Sequence, residues 1–190
     1  MDSVSKYFPR QIADSIRFDL IIQKLAFQVL ENHEAIEKLC IIGIQERGVL
    51  MADRLVKVLR SSLDSQSFQY GKLDIAFYRD DYRIRSTPIK ASKTNIDFGI
   101  DKMKILLVDD VLYTGRTVHA AITALQDLGR PASIELLCMV DRRFNRHFPI
   151  QANYVGMAVD ALENAYVEVQ WKEKDGQDQI ILHSGKPSSF

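Results

Sequence analysis

From Ile105 to Val108 the chain reads ILLV, an unbroken apolar run closed by two adjacent aspartates, Asp109 and Asp110. A run with no polar alternation suits a strand buried on both faces of a parallel sheet, because such a strand has no face turned to water. The flanking patterns agree with this. Phe18, Ile21, Ile22, Leu25 and Val29 recur at helical spacing and predict a helix from about Asp14 to Leu30. LCIIGI then predicts a short strand ending at Gly43, and Gln45 to Gly48 a turn. Val49, Leu50, Leu55, Val56 and Leu59 resume the helical period, and KLDIAFY, Lys72 to Tyr78, alternates as a strand does. After the Lys104–Val108 strand, Val118, Ala121, Ile122 and Leu125 line the inner side of a helix. Gly129 and Pro131 close that helix. Ser133 to Val140 is a further strand, and short strands follow near Tyr154-Val155, Tyr166 to Val169 and Gln179 to Leu182. Strands alternating with helices predict an α/β fold, a parallel sheet with helices on both faces.

A chain of 190 residues with 46% hydrophobic content suits one domain spanning 1–190. Lys plus Arg and Asp plus Glu both number 25, so no global charge draws the chain toward nucleic acid or an anionic membrane. Cys40 and Cys138 sit inside apolar runs and read as small buried hydrophobes of a reducing compartment. The N-terminus, MDSVSKYFPR, has no signal-peptide core, and no apolar run approaches membrane-spanning length. A soluble, cytoplasmic protein is the expectation.

In parallel sheets ligands bind beyond the carboxyl ends of the strands. Four polar clusters fall there: Glu46-Arg47-Gly48, Arg79-Asp80-Asp81, Asp109-Asp110 and Asp141-Arg142-Arg143. Thr114-Gly115-Arg116-Thr117 precedes a helix. Its glycine lets the backbone turn and approach a ligand, and the helix start presents unpaired N–H groups and a positive dipole end to an anion. Alone, the same residues would fit a plain helix cap by Thr114. The acid pair beside it changes the balance, because two carboxylates at an exposed strand end can accept two vicinal hydroxyls or hold Mg²⁺ through water. Hydroxyls and a phosphate a few ångströms apart describe a ribose 5-phosphate. The lysine and glycine spacing of a P-loop are missing. Arg79 to Phe98 is polar and weakly patterned, a long loop carrying Arg79, Arg83, Arg85, Lys90 and Lys93.

VDDVLYTGRT resembles the phosphoribosyl pyrophosphate (PRPP) motif of the type I phosphoribosyltransferases. YRDD at Tyr78–Asp81, GRPASIELL at Gly129–Leu137 and VDRRFNRHFPIQANYVG at Val140–Gly156 narrow the resemblance to the pyrimidine-operon regulator family (PyrR), whose members are also uracil phosphoribosyltransferases. It runs from about Phe18 to about Leu182. The resemblance implies a Rossmann-like sheet with a small hood, an N-terminal arm of about residues 1–13, and hood elements at about 141–155 and in the C-terminal segment. It implies that Asp109 and Asp110 take the ribose hydroxyls and that Tyr113, Thr114, Gly115, Arg116 and Thr117 take the 5′-phosphate. Glu46, Arg47, Gly48 and Arg79 would take the pyrophosphate, and a loop bearing Arg83 and Arg85 would close over the substrate. Val140, Asp141, Arg142 and Ile150 would face the base, with uracil read largely by backbone groups near Val140 to Arg142. Arg143 to Phe148 is bulkier and more aromatic than the family's usual stretch.

The implied reaction is uracil plus PRPP giving UMP plus pyrophosphate, with Mg²⁺ as cofactor, in a homodimer or larger homo-oligomer. No dedicated general base is evident, and Asp110 is the nearest candidate for charge stabilisation. Two alternatives remain. A purine base could replace uracil, since PRPP motifs do not choose the base. The family's UMP-dependent binding of pyrimidine-operon RNA could also be the main function. Against that, the first helix carries Arg17 and Lys24 against Asp14, Asp19 and Glu31, and has Gln23 and Phe27 where RNA-binding relatives are more basic.

Overall fold

The computed structural model describes residues 9–63, 68–80, 92–161 and 165–184. In chain order the elements are β1 (Pro9–Ala13), α1 (Ser15–Asn32), β2 (Leu39–Ile44), α2 (Arg47–Ser62), β3 (Gln69–Leu73), β4 (Lys104–Leu112), α3 (Arg116–Leu128), β5 (Ser133–Arg143), β6 (Tyr154–Asp160), β7 (Tyr166–Gln170), α4 (Lys172–Asp175) and β8 (Gln179–His183). Five strands form a sheet in the order β3-β2-β4-β5-β6, each pair parallel. The chain leaves β2 toward β3, crosses back to β4, and then proceeds the other way through β5 to β6. The order therefore reverses between β2 and β4, which opens a crevice beyond their carboxyl ends.

The alternation of side chains across this sheet splits the core in two. Ile41, Leu106, Val108, Leu137 and Met139 pack with α1 and α2 on one face. Ile42, Ile105, Leu107 and Cys138 pack with α3 on the other. Asp14 caps α1 by accepting a hydrogen bond from the Arg17 amide at 2.9 Å, and Phe18, Ile21, Ile22, Leu25, Ala26 and Val29 form its buried stripe. Both cysteines are buried and unpaired, and burial pushes the Cys40 thiol up to about 11. Among the described residues, no helix is long and apolar enough to cross a membrane.

Two expectations change. The strand expected at Lys72–Tyr78 lies earlier, at Gln69–Leu73, and Ala76–Tyr78 is a 3₁₀ turn. Asp74 stops the strand by accepting the Ala76 amide at 2.8 Å. The central strand does not end before the acid pair. It continues through Asp109 and Asp110 to Leu112, because β5 keeps pairing with it from Cys138 to Asp141.

The second sheet is antiparallel, in the order β1-β8-β7, so it joins the end of the N-terminal arm to the C-terminal segment. It is pinned to the core by Trp171, fully buried and edge-on to Phe18 at 4.9 Å. Arg54 of α2 lies over both rings and pairs with Glu173 at 2.8 Å and Asp178 at 2.7 Å.

Candidate active site

The crevice at the strand-order reversal is a cleft of about 570 Å³. Glu46 and Arg47 line it from the start of α2, Arg79 from the turn after β3, Asp109 and Asp110 from β4, and Thr117 from the first turn of α3. Three of the four polar clusters read from the sequence therefore contribute side chains here, the second of them through Arg79 alone, since Asp81 lies outside the described residues. The fourth, Asp141-Arg142-Arg143, does not line this cleft. Arg83 and Arg85 lie outside the described residues.

Asp109 is not at an exposed strand end. It is buried, with 7% of its surface accessible, and Asp110 is half-buried beside it. The Asp109 carboxylate accepts the Asp110 amide at 3.0 Å, and Asp110 accepts the Val111 amide at 2.9 Å. Burial first, and then the neighbouring Asp110 charge, hold the Asp109 carboxyl well above the usual carboxylate range. Burial raises Asp110 too, against the opposing pull of the Arg47 guanidinium. This acid pair is costly to ionise and would be relieved by hydroxyl donors or a cation. Among the described residues no group of three His, Cys, Asp or Glu side chains could hold a metal by itself. The two carboxylates fit an ion that brings most of its oxygens from a bound polyphosphate and water.

Gly48 sits against the acid pair. A Cβ there would lie 2.5 Å from the Val108 carbonyl and 3.1 Å from Asp109 Cα, so only glycine lets the start of α2 close onto β4. The Gln45–Glu46 peptide is cis. Arg47 donates to the Val169 carbonyl of β7 and forks onto Asp175 of α4 at 2.8 and 3.2 Å. Glu46 pairs with Lys174, which also lines the cleft.

The helix that follows the acid pair has no side-chain cap. Its N-cap is Gly115 at φ +86°, which has no side chain to offer; Thr114, one residue earlier, accepts only the Arg116 amide, through a long bond of 3.4 Å. The loop is held from behind. The Thr114 carbonyl accepts the amides of His147 at 2.9 Å and Phe148 at 3.2 Å. Phe148 stacks on His119 at 4.3 Å, and Ile150 packs on the Gly115 backbone. Arg116 pairs with Asp80.

Arg146, absent from the residues singled out by sequence, is the centre of this support. It donates to the carbonyls of Leu112, Tyr113, Arg142 and Ile150 and pairs with Asp141. The aromatic 143–148 stretch therefore buttresses the Thr114–Thr117 turn. Val140 is fully buried in β5, and Arg142 is buried with its guanidinium 3.7 Å from the Tyr113 ring centre. Strand pairing runs past Val140 to Asp141 on one side and Arg143 on the other, which leaves less backbone free to read a base there than a strand end at Val140 would.

Residues 10–174 match the phosphoribosyl transferase domain family. The Bifunctional protein PyrR of Desulfosudis oleivorans is 40% identical over 174 residues, covering 91% of this chain and 95% of that protein. The protein of the same name from Caldicellulosiruptor bescii is 40% identical over 173 residues, covering 91% and 94%. Among solved structures, a hypoxanthine-guanine phosphoribosyltransferase from Bacillus anthracis superposes with a TM-score of 0.68 over 91% of this chain and 96% of its own, at 17% identity. A hypoxanthine phosphoribosyl transferase of Trypanosoma cruzi gives 0.69 at 16%, over 91% and 90%. At that identity the likeness speaks for the fold alone. A matched family over most of the length, relatives at 40% identity and a shared fold agree: the chain belongs to the phosphoribosyltransferases, and among them to the PyrR family.

Proposed function

We propose that this chain transfers the ribose 5-phosphate of PRPP to uracil, releasing pyrophosphate and forming UMP. The observation that carries the reading is the acid pair on the cleft floor, set between a cation-bearing loop and a helix start without a side-chain cap. In this reading Asp109 and Asp110 accept the ribose 2′ and 3′ hydroxyls. The amides and hydroxyls from Tyr113 to Thr117 hold the 5′-phosphate, where the helix dipole favours negative charge. Glu46-Arg47-Gly48 and Arg79 form the pyrophosphate side. The base lies toward the end of β5, near Asp141, Arg142 and Ile150.

As the bond from C1′ to the pyrophosphate oxygen breaks and the bond from C1′ to the uracil nitrogen forms, positive charge grows on the ribose and negative charge on the leaving group. Asp110 opposes the first and Arg47 with Arg79 the second, in a partly dry cleft where fixed charges act strongly. Mg²⁺, held chiefly by PRPP with Asp109 and Asp110 at hand, would neutralise the leaving pyrophosphate. The family resemblance further implies a cytoplasmic homodimer or higher homo-oligomer, with residues 1–190 as one catalytic domain.

Arg47→Ala tests this assignment. Loss of a charged contact made to the leaving group is expected to lower uracil turnover by roughly tenfold or more in steady-state assays. Near-normal kinetics would remove Arg47 from the site.

Support for a regulatory, RNA-binding role is weaker in this chain. The outer face of α1 exposes Ile16, Leu20 and Phe27, while Lys24 is spent on the carbonyls of Val155 and Gly156 at 3.1 and 2.7 Å. Arg143 and Arg146 are neutralised by Asp160 and Asp141. Phosphate neutralisation supplies much of RNA affinity, and these groups supply little of it. Filter binding with a pyrimidine-operon leader at low salt is expected to show no UMP-dependent retention. UMP-dependent retention would restore the regulatory reading.

A further inference from the structure

The C-terminal segment reaches the cleft through α4, and its three contacts with α2 and the preceding loop differ in kind. Glu173 meets Arg54 through two parallel bonds at 3.0 and 2.8 Å. Asp175 meets Arg47 through a second fork and also accepts the Trp171 amide at 2.9 Å. Both are multidentate contacts of carboxylate with guanidinium, which fix geometry. Between them stands Lys174. Its ammonium, a point charge on a flexible stem, pairs with Glu46, and the two side chains are 45% and 55% exposed.

A pair that exposed contributes little to holding α4 in place. The two neighbours already do so. Lys174 can therefore change partner without α4 moving, and it lines the same cleft as Arg47, Arg79 and Asp110. Arg47 is committed to Asp175 and the Val169 carbonyl. Lys174 is thus the cation that α4 itself places in the cleft, held there by one exposed carboxylate of the loop that faces the leaving group.

We infer that Lys174 is a further pyrophosphate-binding residue, with Glu46 as the counter-ion it exchanges for the ligand. This rests on reading Glu46-Arg47-Gly48 as the pyrophosphate loop. Lys174 neutralises Glu46. When a polyanion enters, the ammonium swings from one carboxylate to the phosphoryl oxygens, which carry more charge, and adds a donor from the hood to those from the sheet. The C-terminal segment thereby joins the substrate site directly.

Calorimetric titration of the full chain tests this, with inorganic pyrophosphate plus Mg²⁺ as one probe and UMP, which has no pyrophosphate, as the other. Lys174→Met is expected to weaken pyrophosphate binding by about tenfold, the loss of one charge-assisted contact, and to leave UMP affinity unchanged. Lys174→Arg should restore most of the loss. Glu46→Gln, which removes the carboxylate that competes for the ammonium, should bind pyrophosphate more tightly than the parent. If Lys174→Met and Glu46→Gln weaken pyrophosphate equally, or if Lys174→Met weakens UMP as much as pyrophosphate, the pair is only a structural strut and the inference fails. Arg47→Ala in the same titration separates the two levels. Weakened binding there with an unaffected Lys174→Met overturns the inference alone. Unaffected binding in both overturns the pyrophosphate loop as well.

Discussion

Asp110→Asn is expected to lower kcat/KM for PRPP by roughly tenfold or more, because it removes a negative charge facing the ribose as positive charge develops there. The same substitution is expected to raise the melting temperature of the ligand-free chain. Both carboxyls of the pair are pushed above their usual range, chiefly by burial, and the Asp110 charge adds to the rise at Asp109. A carboxyl whose folded pKa exceeds its unfolded value binds more protons in the native state. Stability then falls as pH rises from the unfolded value of about 4 through the raised folded value. An amide at 110 removes one charge and relieves its neighbour, so the variant should flatten that slope. The check is a pair of measurements on one protein: PRPP kinetics, and thermal melts between acid and neutral pH. A variant with parental kinetics, or one that melts lower at neutral pH, would contradict this account of the pair as destabilising but functional.

The second large effect is structural. Arg146→Ala strips donors from four carbonyls and leaves Asp141 half-buried without its cation. Breaking a pair of this kind costs about 3–5 kcal/mol, which for a chain of this size lowers the melting temperature by roughly 6–15 °C. The 5′-phosphate turn loses its backing through Leu112 and Tyr113, so UMP affinity should fall as well. Arg146→Lys keeps the charge but not the fork and should recover only part of either loss. Thermal denaturation and UMP titration of both variants measure the two consequences.

Some of this was legible in the sequence because it depends on local pattern. ILLV reads as a central strand because both of its faces are buried, and the helical stripes of α1 and α3 read from their period. The chemistry at the turn was legible too, since the acid pair, Gly115 and Thr117 are close in sequence and share one strand–turn–helix unit. Long-range pairing was not legible. Nothing local says that β4 goes on pairing with β5 past Val108, and it is that pairing, Asp109 against Cys138 and Val111 against Val140, which draws Asp109 into the sheet and buries it. β3 was misplaced for a similar reason. KLDIAFY alternates well, but Asp74 bonds its own neighbourhood and ends the strand there. Arg146 does not stand out locally, because the two acceptors that tie it to the phosphate turn, the Leu112 and Tyr113 carbonyls, lie more than thirty residues away. The contacts of Arg47 and Glu46 with α4 span 128 residues. The second sheet is assembled from the two ends of the chain, β1 with β8 and β7, which carry only short strand signals.

The central claim is a choice of base as well as a donor, and the two rest on different residues. The cleft around Asp109 and Asp110 speaks for PRPP, and the stretch around Val140 to Ile150, with its uncommon Arg143–Phe148 segment, has to select what receives the ribose. A panel of radiolabelled uracil, hypoxanthine and guanine, each incubated with the chain, PRPP and Mg²⁺, measures that selection in one experiment. The account predicts conversion of uracil to UMP with little turnover of either purine. Turnover of hypoxanthine or guanine with none of uracil would contradict it.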